Sequence, residues 1–231
     1  FRNEAPVRLI SRRREVAGKE VLFYGIIGLV LFFALIRNVF ARYLSDLFKV
    51  FFRTTLKQRQ VKEQLQQSPV PSFLLFVLFL LTASLFINLW LQHEGIALPY
   101  PFWIMFLYGM GLLAVLYLLK LLVLKLIGWL LRLQAATDSY SFVVFTSNKI
   151  IGIVLLPFVV VLGFVQGPQA AVVLTLGLIA VGFLVLYRLV LSYQTVQRAT
   201  RLPFIYFMLY LAAFEVAPLL LLNKLLLSFL A

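Results

Sequence analysis

Cysteine is absent from the 231 residues, histidine occurs once, at position 93, and carboxylates are scarce, with 8 Asp and Glu against 21 Lys and Arg. Without cysteine the chain forms no disulfide and supplies no thiolate for zinc, an iron-sulfur cluster or covalently attached haem. One histidine also excludes two-histidine haem ligation within the chain. Catalysis inside a membrane by a protease or transferase calls for clustered His, Asp, Glu or Ser groups. The apolar segments hold one Glu and no His. The expectation is therefore a protein that is not an enzyme and has no cofactor and no metal. The chain begins at Phe1 rather than Met, so residues upstream of it are expected.

Apolar residues are what the chain has in abundance. They make up 63% of it, charged residues only 13%, and the mean hydropathy is +1.02, whereas a soluble domain carries about 25% charged residues. This is the composition of an integral membrane protein. The net charge of +13 sits in clusters between the apolar runs, which suits loops beside an anionic leaflet rather than nucleic acid. The expected partners are the bilayer itself, anionic lipids at the basic segments, and other membrane subunits.

Taken in order, residues 1–20 form a basic tail and residues 21–231 one transmembrane domain. Its spans are expected over 21–36, 73–91, 102–119, 150–165, 170–190 and 203–222. The first is short, with Gly25 and Gly28 inside it. Residues 37–68 place Phe40, Tyr43, Leu44, Leu47, Phe48 and Phe51 at helical spacing opposite Arg42, Asp46, Lys49 and Arg53, the pattern of an amphipathic helix in the headgroup plane. A second amphipathic segment is expected over 120–149, where Lys120 and Lys125 can snorkel and Thr137-Asp138-Ser139 offers an N-cap. Gln166-Gly-Pro-Gln169 reads as a tight turn, and Pro157 as a kink. His93 beside Glu94 is a weak metal or proton motif, because adjacent residues do not share a helix face. The expected fold class is an all-α polytopic helix bundle of about six spans with in-plane amphipathic helices.

The loops 37–68, 120–149 and 188–201 hold 14 Lys and Arg, against 7 in the remaining tail, turns and C-terminal end. The positive-inside rule then places both termini outside the cytoplasm. If the first apolar run is re-entrant, the tail moves inside and five spans remain.

A charge in hydrocarbon is a functional-site hypothesis by default, which singles out the last apolar run. Glu215 lies twelve residues into it, about 18 Å from the edge by helical rise, with Pro218 three residues later. At that depth it should be protonated, hydrogen-bonded or in a wet cavity. The candidate polar site comprises Glu215, Pro218, Tyr210, Tyr108, Thr82 and Ser84, with Tyr24 and Thr175 at similar depth. Lys120 lies near the inner edge, too far for a direct ion pair. Glu215 is then either a neutral hydrogen-bonding post between helices or a proton or cation site beside a proline bend. Gly109, Gly111, Gly177 and Gly182 are expected as packing positions.

Tyr24-Gly-Ile-Ile-Gly-Leu-Val-Leu-Phe-Phe-Ala-Leu-Ile-Arg, the amphipathic basic stretch, Phe73 to Leu91, and Ile205 to Lys224 together resemble a family of uncharacterised multi-pass inner-membrane proteins of the Bacteroidetes, a domain of unknown function. The most specific part is Tyr210 to Pro218. The resemblance implies the bacterial inner membrane and no activity. Two functions are expected from these observations. One is a noncatalytic subunit or scaffold of a larger membrane complex; the alternative is a small transporter or lipid-handling protein using the intramembrane Glu.

Overall fold

The structure is a computed structural model, and it describes residues 19–52, 64–65, 67–95, 100–130, 132, 134–165 and 167–200. Among the described residues six helices follow one another: α1 (Lys19–Val39), α2 (Ala41–Phe52), α3 (Pro69–His93), α4 (Phe102–Leu130), α5 (Gln134–Phe164) and α6 (Pro168–Thr200). The described elements are all helical, and five of them, all but α2, are long and apolar enough to cross a membrane. Hydrocarbon satisfies no backbone group, so apolar runs of this length close their hydrogen bonds within themselves as helices. The expected sixth span, 203–222, lies outside the described residues, as do Glu215, Pro218 and Tyr210.

The helix bounds differ from the sequence expectation in one systematic way. α1 is longer than 21–36, at 21 residues. Residues 120–149 are divided between two long helices rather than forming one of their own: α4 runs unbroken through Lys120 and Lys125 to Leu130, and α5 begins at Gln134 rather than near 150. The intended N-cap at Thr137 is inside the first turn, where its hydroxyl donates to the Gln134 carbonyl at 2.9 Å. α6 continues ten residues beyond 190, to Thr200. Charged residues did not end these helices: Lys120 and Lys125 lie within α4, and Lys149 within α5.

α5 is the central element, packing against α1, α2, α3, α4 and α6. Its residues 146–152 are buried without interruption, so neighbours surround it on every side. At Gly152 the neighbour is backbone rather than a side-chain end, and an added Cβ would stand 2.6 Å from the Phe79 Cα on α3. Gly177 similarly admits the Phe86 ring, and Gly109 the Ser84 hydroxyl, whereas Gly111 and Gly182 have nothing within 4 Å. The expected packing role therefore holds at two of those four glycines. Gly167, at φ +73°, makes the turn between α5 and α6, a left-handed conformation that favours glycine. α2 buries Tyr43, Leu44, Leu47 and Phe51 against the bundle. Arg42 and Lys49 point outward.

Replacing Gly152 with Ala should force α3 and α5 apart and cost about 1–3 kcal/mol, the range for overpacking a tight core. Thermal unfolding in mild detergent reads this against Gly28→Ala, whose site is open; equal melting temperatures for the two variants would refute the close contact.

Candidate functional site

The most enclosed turn of α5 carries four polar residues in succession, Thr146, Ser147, Asn148 and Lys149. Ser147 bonds the Val143 carbonyl of its own helix at 2.8 Å. Lys149 is only 5% exposed. By helical rise it stands about 22 Å from the Phe164 end of α5, well inside the helix. Its ammonium donates to the Ser72 hydroxyl of α3 at 2.6 Å and to the Tyr43 phenol of α2 at 3.1 Å, with the Tyr43 ring centroid 5.8 Å away. Both partners are hydroxyls and neither is a carboxylate. Burial pushes the Tyr43 phenol above its ordinary value, and a side-chain hydrogen bond with Ser72 acts in the opposite direction. The phenol therefore stays protonated and neutral at physiological pH.

Asn148 and Lys149, adjacent in sequence, project to different neighbours. Asn148 faces α6, where its Oδ1 accepts from Arg188 Nη1 at 3.4 Å. One residue earlier, the Tyr187 hydroxyl donates to the Phe51 carbonyl at 2.9 Å, and its ring meets Phe51 edge-on with centroids 5.0 Å apart. Four helices, α2, α3, α5 and α6, are thus joined at one level by polar groups. An open cleft of about 540 Å³ lies beside this level. Val39, Phe40, Arg42, Tyr43, Ser68 and Pro71 are among the residues that line it.

Of the residues singled out from sequence, those the structure describes lie in different surroundings, whereas Glu215, Pro218 and Tyr210 are outside the described residues. Thr82 is fully buried, yet its hydroxyl bonds the Leu78 and Phe79 carbonyls of its own helix. Ser84 is buried and crosses to α4, donating to the Phe106 carbonyl at 2.7 Å, and Asn88 does the same to Phe102 at 2.9 Å. Tyr108 is 63% exposed on the outer side of α4, and Tyr24 is exposed on α1. Thr175 is exposed and bonds the Ala171 carbonyl. His93 and Glu94 are exposed at the end of α3. Among the described residues, no group of three His, Cys, Asp or Glu could hold a metal ion.

Lys149 and Arg188 are the residues that sequence reasoning missed, having counted them as loop cations. A signal was present: between Asp138 and Arg188, Lys149 is the only charged residue. A lone cation within an otherwise uncharged run of that length belongs to the interior of a bundle.

A family model described as Domain of unknown function (DUF4271) matches residues 22–226. The chain belongs to that family. No curated protein and no solved structure matches it. Among the described residues of this DUF4271 chain, the polar level around Lys149 joins side chains from four separate helices.

A hydrogen bond to a charged group is worth about 1.5–3 kcal/mol, against about 1 kcal/mol for a neutral one. Tyr43→Phe, which removes an acceptor from the buried ammonium, should thus destabilise the protein in detergent more than Tyr187→Phe does. It should also speed hydrogen exchange of the α2 amides. A Tyr43→Phe loss no greater than that of Tyr187→Phe would contradict the charged tie.

Proposed function

We propose that this protein is a noncatalytic integral subunit or scaffold of a larger complex in a bacterial inner membrane. The observation that supports this reading is the use of its buried polar groups. Lys149, Ser84, Asn88 and Tyr187 each join one helix to another. A frame fixed in this way presents its outer surfaces in a constant geometry. α4 is the most outward of the membrane-length helices, with Leu107, Val115, Leu118, Leu122 and Leu126 exposed along it. Its rotation is set from behind by the bonds from Ser84 and Asn88. In this reading the outer side of α4 meets a partner helix, around the open Gly111, where a small residue lets backbones approach. Anionic lipids neutralise the basic end, and the protein handles no nucleic acid.

Affinity purification of the full chain from native membranes in mild detergent should then yield a partner in fixed stoichiometry. Gly111→Trp should release that partner while leaving the melting temperature unchanged. Recovery of a clean monomer from the unmodified protein would refute the scaffold reading.

The cleft beside α2 favours a second reading, a lipid-handling protein. Arg42 and Tyr43 offer donors to an anionic headgroup, and Val39 and Phe40 offer apolar wall to a chain. Native mass spectrometry should then find a bound phospholipid that Arg42→Gln removes; the same lipid occupancy in both proteins would eliminate this reading.

A further inference from the structure

The cleft beside α2 is lined by two charged side chains, Arg42 and Asp46, one of each sign. They stand four residues apart, so one side of α2 carries both, with Cβ atoms about 5–6 Å from each other. Asp46 accepts from the Lys49 ammonium at 3.2 Å, but that lysine is 61% exposed. A pair this exposed contributes little, and a carboxylate has about four lone-pair positions to offer. Among the described residues Arg42 makes no ion pair. The remaining wall is neutral, with Gln64 and Ser68 polar and Phe40, Leu65 and Val70 apolar. Leu35 and Val39 on α1 and Val70 and Phe73 on α3 are exposed, so apolar surface leads away from the cleft along two membrane-length helices.

We propose that the occupant of this cleft is a phospholipid whose headgroup carries a primary ammonium beside its phosphate, the chemistry of phosphatidylethanolamine. The inference rests on the lipid-handling reading of the cleft and adds which lipid it takes. Charge complementarity selects the headgroup. Arg42 takes the phosphate, since a guanidinium pairs with phosphate oxygens through two parallel donors. Asp46 takes the ammonium one turn along α2. The two-carbon bridge of ethanolamine separates phosphate from ammonium by about one helical turn.

Other headgroups answer only part of this wall. Phosphatidylglycerol has a phosphate but no cation for Asp46. Choline has a cation without an N–H, which gives a carboxylate no hydrogen bond and suits an aromatic cage instead. Phosphatidylserine brings a second carboxylate against Asp46. Size agrees as well: the cleft of about 540 Å³ lies within the range of ligand clefts, about 300–1,000 Å³. Acyl chains continue out of it along Leu35, Val39 and Phe73.

The test is native mass spectrometry of the full chain in mild detergent, with equal amounts of phosphatidylethanolamine, phosphatidylglycerol and phosphatidylcholine of matched acyl chains. Phosphatidylethanolamine should exceed each of the others about three- to fivefold, the scale of one partly exposed ion pair. Asp46→Asn should bring its ratio to phosphatidylglycerol down to one or below, with the melting temperature unchanged. Lys49→Gln loses the same surface pair but keeps the carboxylate, so it should preserve the preference. Arg42→Gln should reduce the retention of all three lipids. Phosphatidylglycerol ahead in the unmodified protein, or an ethanolamine preference that survives Asp46→Asn, would overturn the proposal and leave the lipid-handling reading standing. Equal retention of every lipid by the unmodified protein and Arg42→Gln would remove that reading and this one together.

Discussion

One buried ammonium sets the arrangement of the end of the bundle that holds α2. Lys149 sits in the central helix, and an ammonium out of water must spend its protons on nearby oxygens. Ser72 and Tyr43 provide them, so α2 and the first turn of α3 are placed by a charge on α5. The geometry follows from helix direction. α3 and α5 run the same way through the bundle, with α4 returning between them. From Ser72 to Phe79 is seven residues, about 10 Å of rise, and from Lys149 to Gly152 three residues, about 5 Å. A lysine side chain leaning toward the start of its helix covers the remaining distance. Gly152 lets the backbones close where Phe79 arrives, so the small residue and the long one act together on a single helix pair.

The same level explains why three helices are longer than a bilayer requires. If α3 begins its crossing near Ser72, then the parts of α4, α5 and α6 beyond Lys149 and Arg188 project past that boundary. The first fifteen residues of α5 alone extend about 22 Å. Here Tyr140, Leu124 and Val144 form a second small core, and Lys120 lies 5.7 Å from the centre of the Tyr140 ring. Lys125, Arg132 and Asp138 are exposed around it.

Length and apolarity were legible in the sequence because hydrocarbon imposes both. The interior was less so. Periodicity separates buried from exposed faces when the outside is water, but in lipid both faces are apolar, and nothing in the pattern distinguishes Leu118, which faces outward, from Leu155, which is buried. Lys149 was hidden for a related reason: Thr146-Ser147-Asn148-Lys149 has the composition of a loop, and only the packing of five helices around it makes it a core. Ser84 was legible as a polar residue at depth, but not its partner, because that partner is a backbone carbonyl that every residue carries. Of the glycines, Gly109 and Gly177 face neighbouring helices while Gly111 and Gly182 do not, a distinction that depends on helix rotation.

The two ends of the bundle are held by different chemistry. Toward the far end, α3 and α4 are joined by Ser84 and Asn88 donating to backbone carbonyls, neutral bonds that carry no ionic cost in hydrocarbon. At the α2 end the ties involve Lys149 and Arg188. A cation out of water is costly unless oxygens surround it, and at this level Ser72, Tyr43 and Asn148 supply them. There the cations also gain specificity, since an ammonium and a guanidinium only donate and each donor needs an acceptor in place. The neutral end can slide by small amounts without leaving a charge unsatisfied. The cationic end cannot, and the rotation and register of α2, α3, α5 and α6 are fixed from there.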